Sequence, residues 1–137
     1  MNLIENIKKH EGFRKRMYRD SVDVPTIGYG FNLNQIELPK PVAELWLSFE
    51  IQNHINELEK YHWFNHLDEI RKDVLIDMHY NLGHSRFMEF KNMIKALKNK
   101  EYDVAAREML DSKWADQVGT RAAELASIMS NDDNIGI

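Results

Sequence analysis

Tyr18-Arg19-Asp20-Ser21-Val22-Asp23-Val24-Pro25-Thr26-Ile27-Gly28-Tyr29-Gly30-Phe31-Asn32-Leu33 is the stretch that decides the fold. Val22, Val24, Thr26, Ile27, Tyr29 and Phe31 favour extended backbone, while Pro25, Gly28 and Gly30 interrupt it. The pattern predicts a small antiparallel sheet with tight turns over residues 18–33. Strict alternation would put Thr26, Gly28 and Gly30 on one side and the bulky Ile27, Tyr29 and Phe31 on the other. Thr26 is then expected to face a cleft while the bulky set packs.

Working outward, every other element reads as helix. Asn2 followed by Glu5 resembles a capping box, and Leu3, Ile4, Ile7 and His10 fall near one face of a short helix ending at Gly12. Beyond the sheet, Pro39 and Pro41 close a loop. Pro41 then starts a helix to about Tyr61, with Val42, Leu45, Trp46, Phe49, Ile55 and Leu58 at helical spacing. Three amphipathic stretches follow: Val74, Leu75 and Met78; Phe87, Phe90, Met93, Ile94 and Leu97; and Val104, Ala105, Met109 and Leu110. Gly83, Asn99 and Ser112 separate them. A last helix begins near Thr120 with Ala122, Leu125, Ala126 and Met129, and the polar tail Asn131–Asn134 is expected to fray. The fold class is α+β in one domain. A small β-containing lobe spans about 13–40, a linking helix about 41–60, and a larger helical lobe about 61–130 together with the N-terminal helix.

Composition removes several function classes. The 137 residues suit a single domain, and no apolar run is long enough to cross a membrane. There is no cysteine, so disulfides, thiolate nucleophiles and thiolate metal sites are excluded. The net charge of −4 and the lack of a basic stripe argue against general nucleic-acid binding. Residues 1–20 nevertheless hold six Lys/Arg against three Asp/Glu, and 101–137 hold three against eight. That asymmetry reads as solvated surface. The opening Met1-Asn2-Leu3-Ile4-Glu5, followed by Lys8, Lys9 and His10, lacks the basic-then-apolar order of a secretory signal.

For chemistry, Glu11 stands at the end of the first helix and Asp20 at the edge of the sheet. Two carboxylates across a groove suit glycosidic cleavage: one protonates the leaving oxygen and the other, ionised, activates water or attacks the sugar. With 22 acidic residues some pair always looks placeable, so geometry alone leaves the assignment open.

The surrounding string narrows it. Glu11-Gly12, Tyr18-Arg19-Asp20 and Thr26-Ile27-Gly28-Tyr29-Gly30 resemble, in residue type and spacing, the signature of the phage lysozyme family, glycoside hydrolase family 24. The likeness continues through Leu75-Ile76-Asp77-Met78, Tyr80-Asn81-Leu82-Gly83, Phe90, Ala105-Ala106, Ser112-Lys113-Trp114 and Arg121-Ala122. It implies a lysozyme-like fold and a muramidase cutting the β-1,4 bond between N-acetylmuramic acid and N-acetylglucosamine, with inversion and without cofactor or metal. Glu11 carries over as general acid, with Asp20 and Thr26 holding the attacking water; inversion requires about 6.5–9.5 Å between carboxyls. Arg121 carries over as the arginine that pairs with the glutamate, and Asn81 and Asn32 are expected to touch the glycan. The resemblance further implies peptidoglycan as partner, a monomer, no nucleic acid and no membrane insertion. It also implies residence in the cytoplasm of an infected bacterium until a separate pore opens. A lytic transglycosylase would not need Asp20 and Thr26, and a non-catalytic peptidoglycan-binding module is the other alternative.

The chain departs from the family pattern in three places. Asp23 stands where relatives carry glycine, so a different local turn is expected. Phe31 replaces a frequent histidine, and Asn34–Lys40 is shorter than usual. Trp46, Trp63 and Trp114 read as core, Trp114 foremost. His62 and His66 are four apart and His79 and His84 lie nearby, but no HExxH string accompanies them, and no metal is expected.

Overall fold

In the computed structural model, which describes residues 2–131, the chain divides into two compact units, Met1–Glu44 and Leu45–Ile137. The first opens with α1 (Leu3–Glu11), whose N-terminus is satisfied as its sequence predicts: Asn2 Oδ1 accepts from the Glu5 N–H at 2.9 Å. Gly12, at φ 70°, ends it by donating its N–H to Lys8 O at 2.8 Å.

Three antiparallel strands follow in the order β1 (Arg14–Arg19), β2 (Pro25–Gly28), β3 (Phe31–Asn32). Arg14 pairs with Gly28 and Tyr18 with Thr26, so β1 carries two more residues than β2 between these pairs and must bulge. The sheet thus begins at Arg14, four residues before the predicted start. Arg14-Lys15-Arg16 carries no alternation to announce a strand, and is held there by pairing alone. Thr26 pairs with Asn32 and Ile27 with Phe31, closing a hairpin through Gly28, Tyr29 and Gly30.

That hairpin corrects the expected facing. Thr26 and Gly28 are the buried positions of β2, whereas Ile27 is half-buried and Phe31 is 45% exposed. The strand stops at Gly28 (φ 69°), so alternation does not extend to Phe31. A Cβ on Gly28 would lie 2.8 Å from the Phe31 ring, so the ring lies across the glycine. The expected change of turn at Asp23 is not required either. Asp23 itself adopts φ 63°, the left-handed region that glycine enters without steric cost.

The long helix α2 (Lys40–Leu58) is followed by α3 (His62–Asn65), α4 (Glu69–Leu82), α5 (His84–Phe87), α6 (Lys91–Lys98), α7 (Tyr102–Leu110), α8 (Lys113–Val118) and α9 (Thr120–Ser130). The stretch read as one helix from Phe87 to Leu97 divides between α5 and α6, and α9 starts where predicted. Asp132–Asn134 of the expected fraying tail lie outside the described residues. The core contains Leu75, Met78, Phe87, Met93, Met109 and Met129, each fully buried. At about 1.5–3 kcal/mol per large apolar side chain, these dominate the stability of the unit. Trp114 is buried as expected and Trp63 packs half-buried against this core, but Trp46 is 50% exposed. Of the apolar residues that marked α2, only Leu58 is buried, because they encircle the helix instead of forming one stripe.

Two buried polar features hold this unit together. Arg71 is fully buried, donating from Nε to Met129 O at 2.7 Å, from one terminal nitrogen to Asp68 at 3.0 Å, and from the other to Asn131 O at 3.1 Å. Its guanidinium lies 3.7 Å from the Tyr102 ring centre. The second feature is a line of imidazoles. His54 Nδ1 meets His79 Nδ1 at 2.7 Å, His79 Nε2 meets His84 Nδ1 at 3.0 Å, and His84 Nε2 meets the Tyr61 hydroxyl at 3.3 Å. Burial, then the neighbouring His54 and His84, push the His79 pKa down to about 4, with Glu57 opposing.

Candidate active site

Glu11, Asp20 and Thr26 all lie within the first unit, at the last residue of α1, the residue after β1 and within β2. Asp20 is fixed by the turn it starts. Its Oδ1 accepts from the N–H groups of Val22 and Val24, both at 2.9 Å, and its own N–H donates to Val24 O at 3.0 Å. Such an Asx arrangement sets the carboxylate plane and leaves Oδ2 without a hydrogen bond among the described residues.

Thr26 is only 4% exposed. Its hydroxyl donates to Val24 O at 2.8 Å, which leaves the oxygen lone pairs to accept from a donor. Val24 therefore links the two: its N–H serves Asp20 and its carbonyl receives Thr26.

Glu11 is exposed, and its carboxylate lies against the backbone of Gly30. A Cβ on Gly30 would be 2.9 Å from Glu11 Cδ and would collide with Oε2. Gly30 at φ 73° thus serves twice, by adopting a backbone that side chains disfavour and by leaving room for the acid. The spacing of Gly28 and Gly30 announced a close approach of some kind. Which residue approaches became visible only in three dimensions.

Asn32 is half-buried, and its Oδ1 accepts from the Asn34 N–H at 2.9 Å, so only the Nδ2 amide is left over. Asp23, the third acid, is exposed and lies 3.8 Å from Arg19.

Asn81 and Arg121 belong to the second unit. Asn81 Oδ1 accepts from the indole N–H of buried Trp114 at 2.7 Å, a partner the sequence did not disclose. Arg121 is held by Asp77: Nε donates to Oδ1 at 2.8 Å, a terminal nitrogen approaches the same oxygen at 2.5 Å, and it also reaches the Asp77 carbonyl at 3.3 Å. Asp77 sits three helical positions before the Tyr80-Asn81-Leu82-Gly83 string and enters the sequence reading only as part of the family likeness. Its use as an arginine partner carried no local signal.

The structure thus defines a lysozyme-like α+β chain whose N-terminal unit contains a fixed carboxylate and a hydroxyl joined through Val24, and an exposed acid seated on a glycine. The family model described as phage lysozyme matches residues 8–128, and the chain belongs to that family. Two relatives from Dictyostelium discoideum bear the names probable T4-type lysozyme 1 and 2. The first is 32% identical over 66 residues, covering 48% of this chain and 39% of the relative. The second is 32% identical over 65 residues, covering 47% and 38%. The matched stretch therefore spans well under half the length of either relative.

Proposed function

We propose that the protein is a muramidase that hydrolyses the β-1,4 bond between N-acetylmuramic acid and N-acetylglucosamine in peptidoglycan. Glu11 protonates the leaving oxygen. Asp20 Oδ2 and Thr26 Oγ1 accept the two hydrogens of a water, which turns a lone pair of that water toward the anomeric carbon from the opposite face. The water proton passes to Asp20 as the new bond forms, and the configuration inverts. The observation that carries this reading is the shared use of Val24, which locks Asp20 Oδ1 and the Thr26 hydrogen inward and leaves one acceptor on each. Membership of the phage lysozyme family supports the same chemistry.

Asn32 and Asn81 each keep an Nδ2 amide for sugar oxygens. Arg121, secured by Asp77, is assigned to binding and not to proton transfer.

Mass analysis of the products from purified peptidoglycan tests the proposal. Wild type is expected to release reducing muramic ends. Glu11→Gln and Asp20→Asn are each expected to lose about a hundredfold or more of that activity. Anhydro ends would make the protein a transglycosylase, and full release of reducing ends by Asp20→Asn would remove Asp20 from the reaction. Binding without any product would make it a binding module.

A further inference from the structure

We propose that Asn32 orients the attacking water, donating from Nδ2 to the lone pair that does not face the sugar; the assignment rests on the proposed hydrolytic chemistry. At first sight Asn32 is a turn residue. Its Oδ1 accepts from the Asn34 N–H at 2.9 Å, and its carbonyl accepts from the N–H groups of Gln35 and Ile36 at 3.1 and 2.9 Å. Such a turn uses only the side-chain oxygen, which aspartate or serine would supply as well. What asparagine adds is an amide with two hydrogens to donate, and Nδ2 has no acceptor among the described residues.

The strand register puts that amide beside the water's other two partners. Asn32 pairs with Thr26 across β3 and β2, and Tyr18 pairs with Thr26 across β1 and β2. Opposed residues share a face, so Tyr18, Thr26 and Asn32 form a row on one side of the sheet. The pairing of β1 with β2 runs one step further, through the Asp20 N–H and Val24 O at 3.0 Å, which returns Asp20 to the same side as Thr26. Opposed Cβ atoms lie about 4.5–5.5 Å apart. No hydrogen bond joins the Thr26 and Asn32 side chains among the described residues, and one water spans such a gap.

The chemistry needs a third contact on that water. A water has two hydrogens and two lone pairs. Asp20 Oδ2 and Thr26 Oγ1 take the hydrogens, because Asp20 Oδ1 is held by Val22 and Val24 and the Thr26 proton by Val24 O. Either lone pair is then free to face the anomeric carbon. A donor on one of them removes the choice, and neither an ionised carboxylate nor a threonine that has given its proton to Val24 can supply it. The amide of Asn32 can. Being neutral, it holds the water without competing with Asp20 for the departing proton, and its second N–H stays available to a sugar oxygen.

The test compares wild type with Asn32→Asp and Asn32→Ser on a soluble oligomer of alternating N-acetylglucosamine and N-acetylmuramic acid. Both variants keep an acceptor for the Asn34 N–H. An ionised aspartate matches asparagine in shape but has no hydrogen to donate, and serine is shorter and adds no charge, so a loss shared by both belongs to the amide. Turnover is expected to fall about tenfold in each, with KM within about twofold of wild type. In the inactive Glu11→Gln background, Asn32→Ser should leave the affinity for the oligomer unchanged. Asp20→Asn, measured beside them, judges the hydrolytic chemistry itself: full release of reducing ends by that variant would sink it, and the role of Asn32 with it. If Asp20→Asn is crippled while both Asn32 variants turn over like wild type, the Asn32 assignment alone falls. A loss confined to KM and affinity would leave Asn32 a sugar contact only, and a loss in Tyr18→Phe with none at Asn32 would transfer the donor to the Tyr18 hydroxyl. Urea unfolding of the variants separates lost turnover from lost fold.

Discussion

Residues 2–44 carry all three proposed reacting groups without burying one large apolar side chain, while every buried hydrophobic residue described lies between Leu58 and Met129. The first unit sets its geometry with backbone hydrogen bonds, an Asx turn and positive-φ glycines. The second sets its geometry by burial around Leu75, Met78 and Phe87, and by charge neutralised inside. The contrast teaches that activity and stability should be separable by mutation, since the forces that fix each belong to different stretches of chain.

The sharpest break should come from Gly30→Ala. Displacing the Glu11 carboxylate by even an ångström is expected to lower turnover roughly a hundredfold. Gly12→Ala supplies the control, since Gly12 has nearly the same φ but nothing within 4 Å of an added Cβ. It should lose about 1–2 kcal/mol of stability and keep most of its activity. Equal loss of turnover in both variants would refute the seat assigned to Glu11.

Arg71→Ala tests the opposite side of the comparison. Removing a buried cation takes the guanidinium from Asp68 Oδ1 and from the carbonyls of Met129 and Asn131, at a cost of about 3–5 kcal/mol in urea unfolding. Turnover at a temperature where the variant is folded should stay near wild type.

Acid should act on the second unit as well. His79 has a folded pKa near 4 against 6.5 unfolded, so between these values the unfolded chain binds more protons. Its contribution is complete above pH 6.5 and is lost as pH falls toward 4, about 3 kcal/mol in all. Urea unfolding at pH 7.5, 5.5 and 4.5 should show this decline, and His79→Gln should flatten it.

The smallest effect belongs to Asp23→Gly. Relieving a left-handed aspartate whose ion pair with Arg19 is exposed should stabilise the protein by about 0.5–1 kcal/mol, a small rise in melting temperature with unchanged turnover.

Local signals explain what could be read from the sequence. Asn2 and Gly12 bound α1 because caps depend on near neighbours, and Glu11, Asp20 and Thr26 stood out because the whole motif fits in 20 residues. Arg14–Met17 escaped notice as strand because long charged side chains on a sheet edge show no alternation. Arg71 resembled any surface arginine, since two of its three acceptors lie about 60 residues away on the backbone. The apolar residues of α2 promised burial, and Trp46 did not obtain it, because composition reports the need for a partner and not its presence. The same limit hid the Gly30–Glu11 contact and the Trp114–Asn81 bond, each of which joins separate elements.

The line of imidazoles has one further consequence, which concerns direction. Each neutral imidazole has one N–H and one bare nitrogen, so the central ring must donate on one side and accept on the other. If His54 donates to His79, then His79 donates to His84 and His84 to Tyr61; if the Tyr61 hydroxyl donates, every bond reverses. The four groups therefore share a single two-valued state. A tautomer flip at one ring obliges the others to follow, and ¹⁵N shifts of His54, His79 and His84 should exchange together, at one common rate.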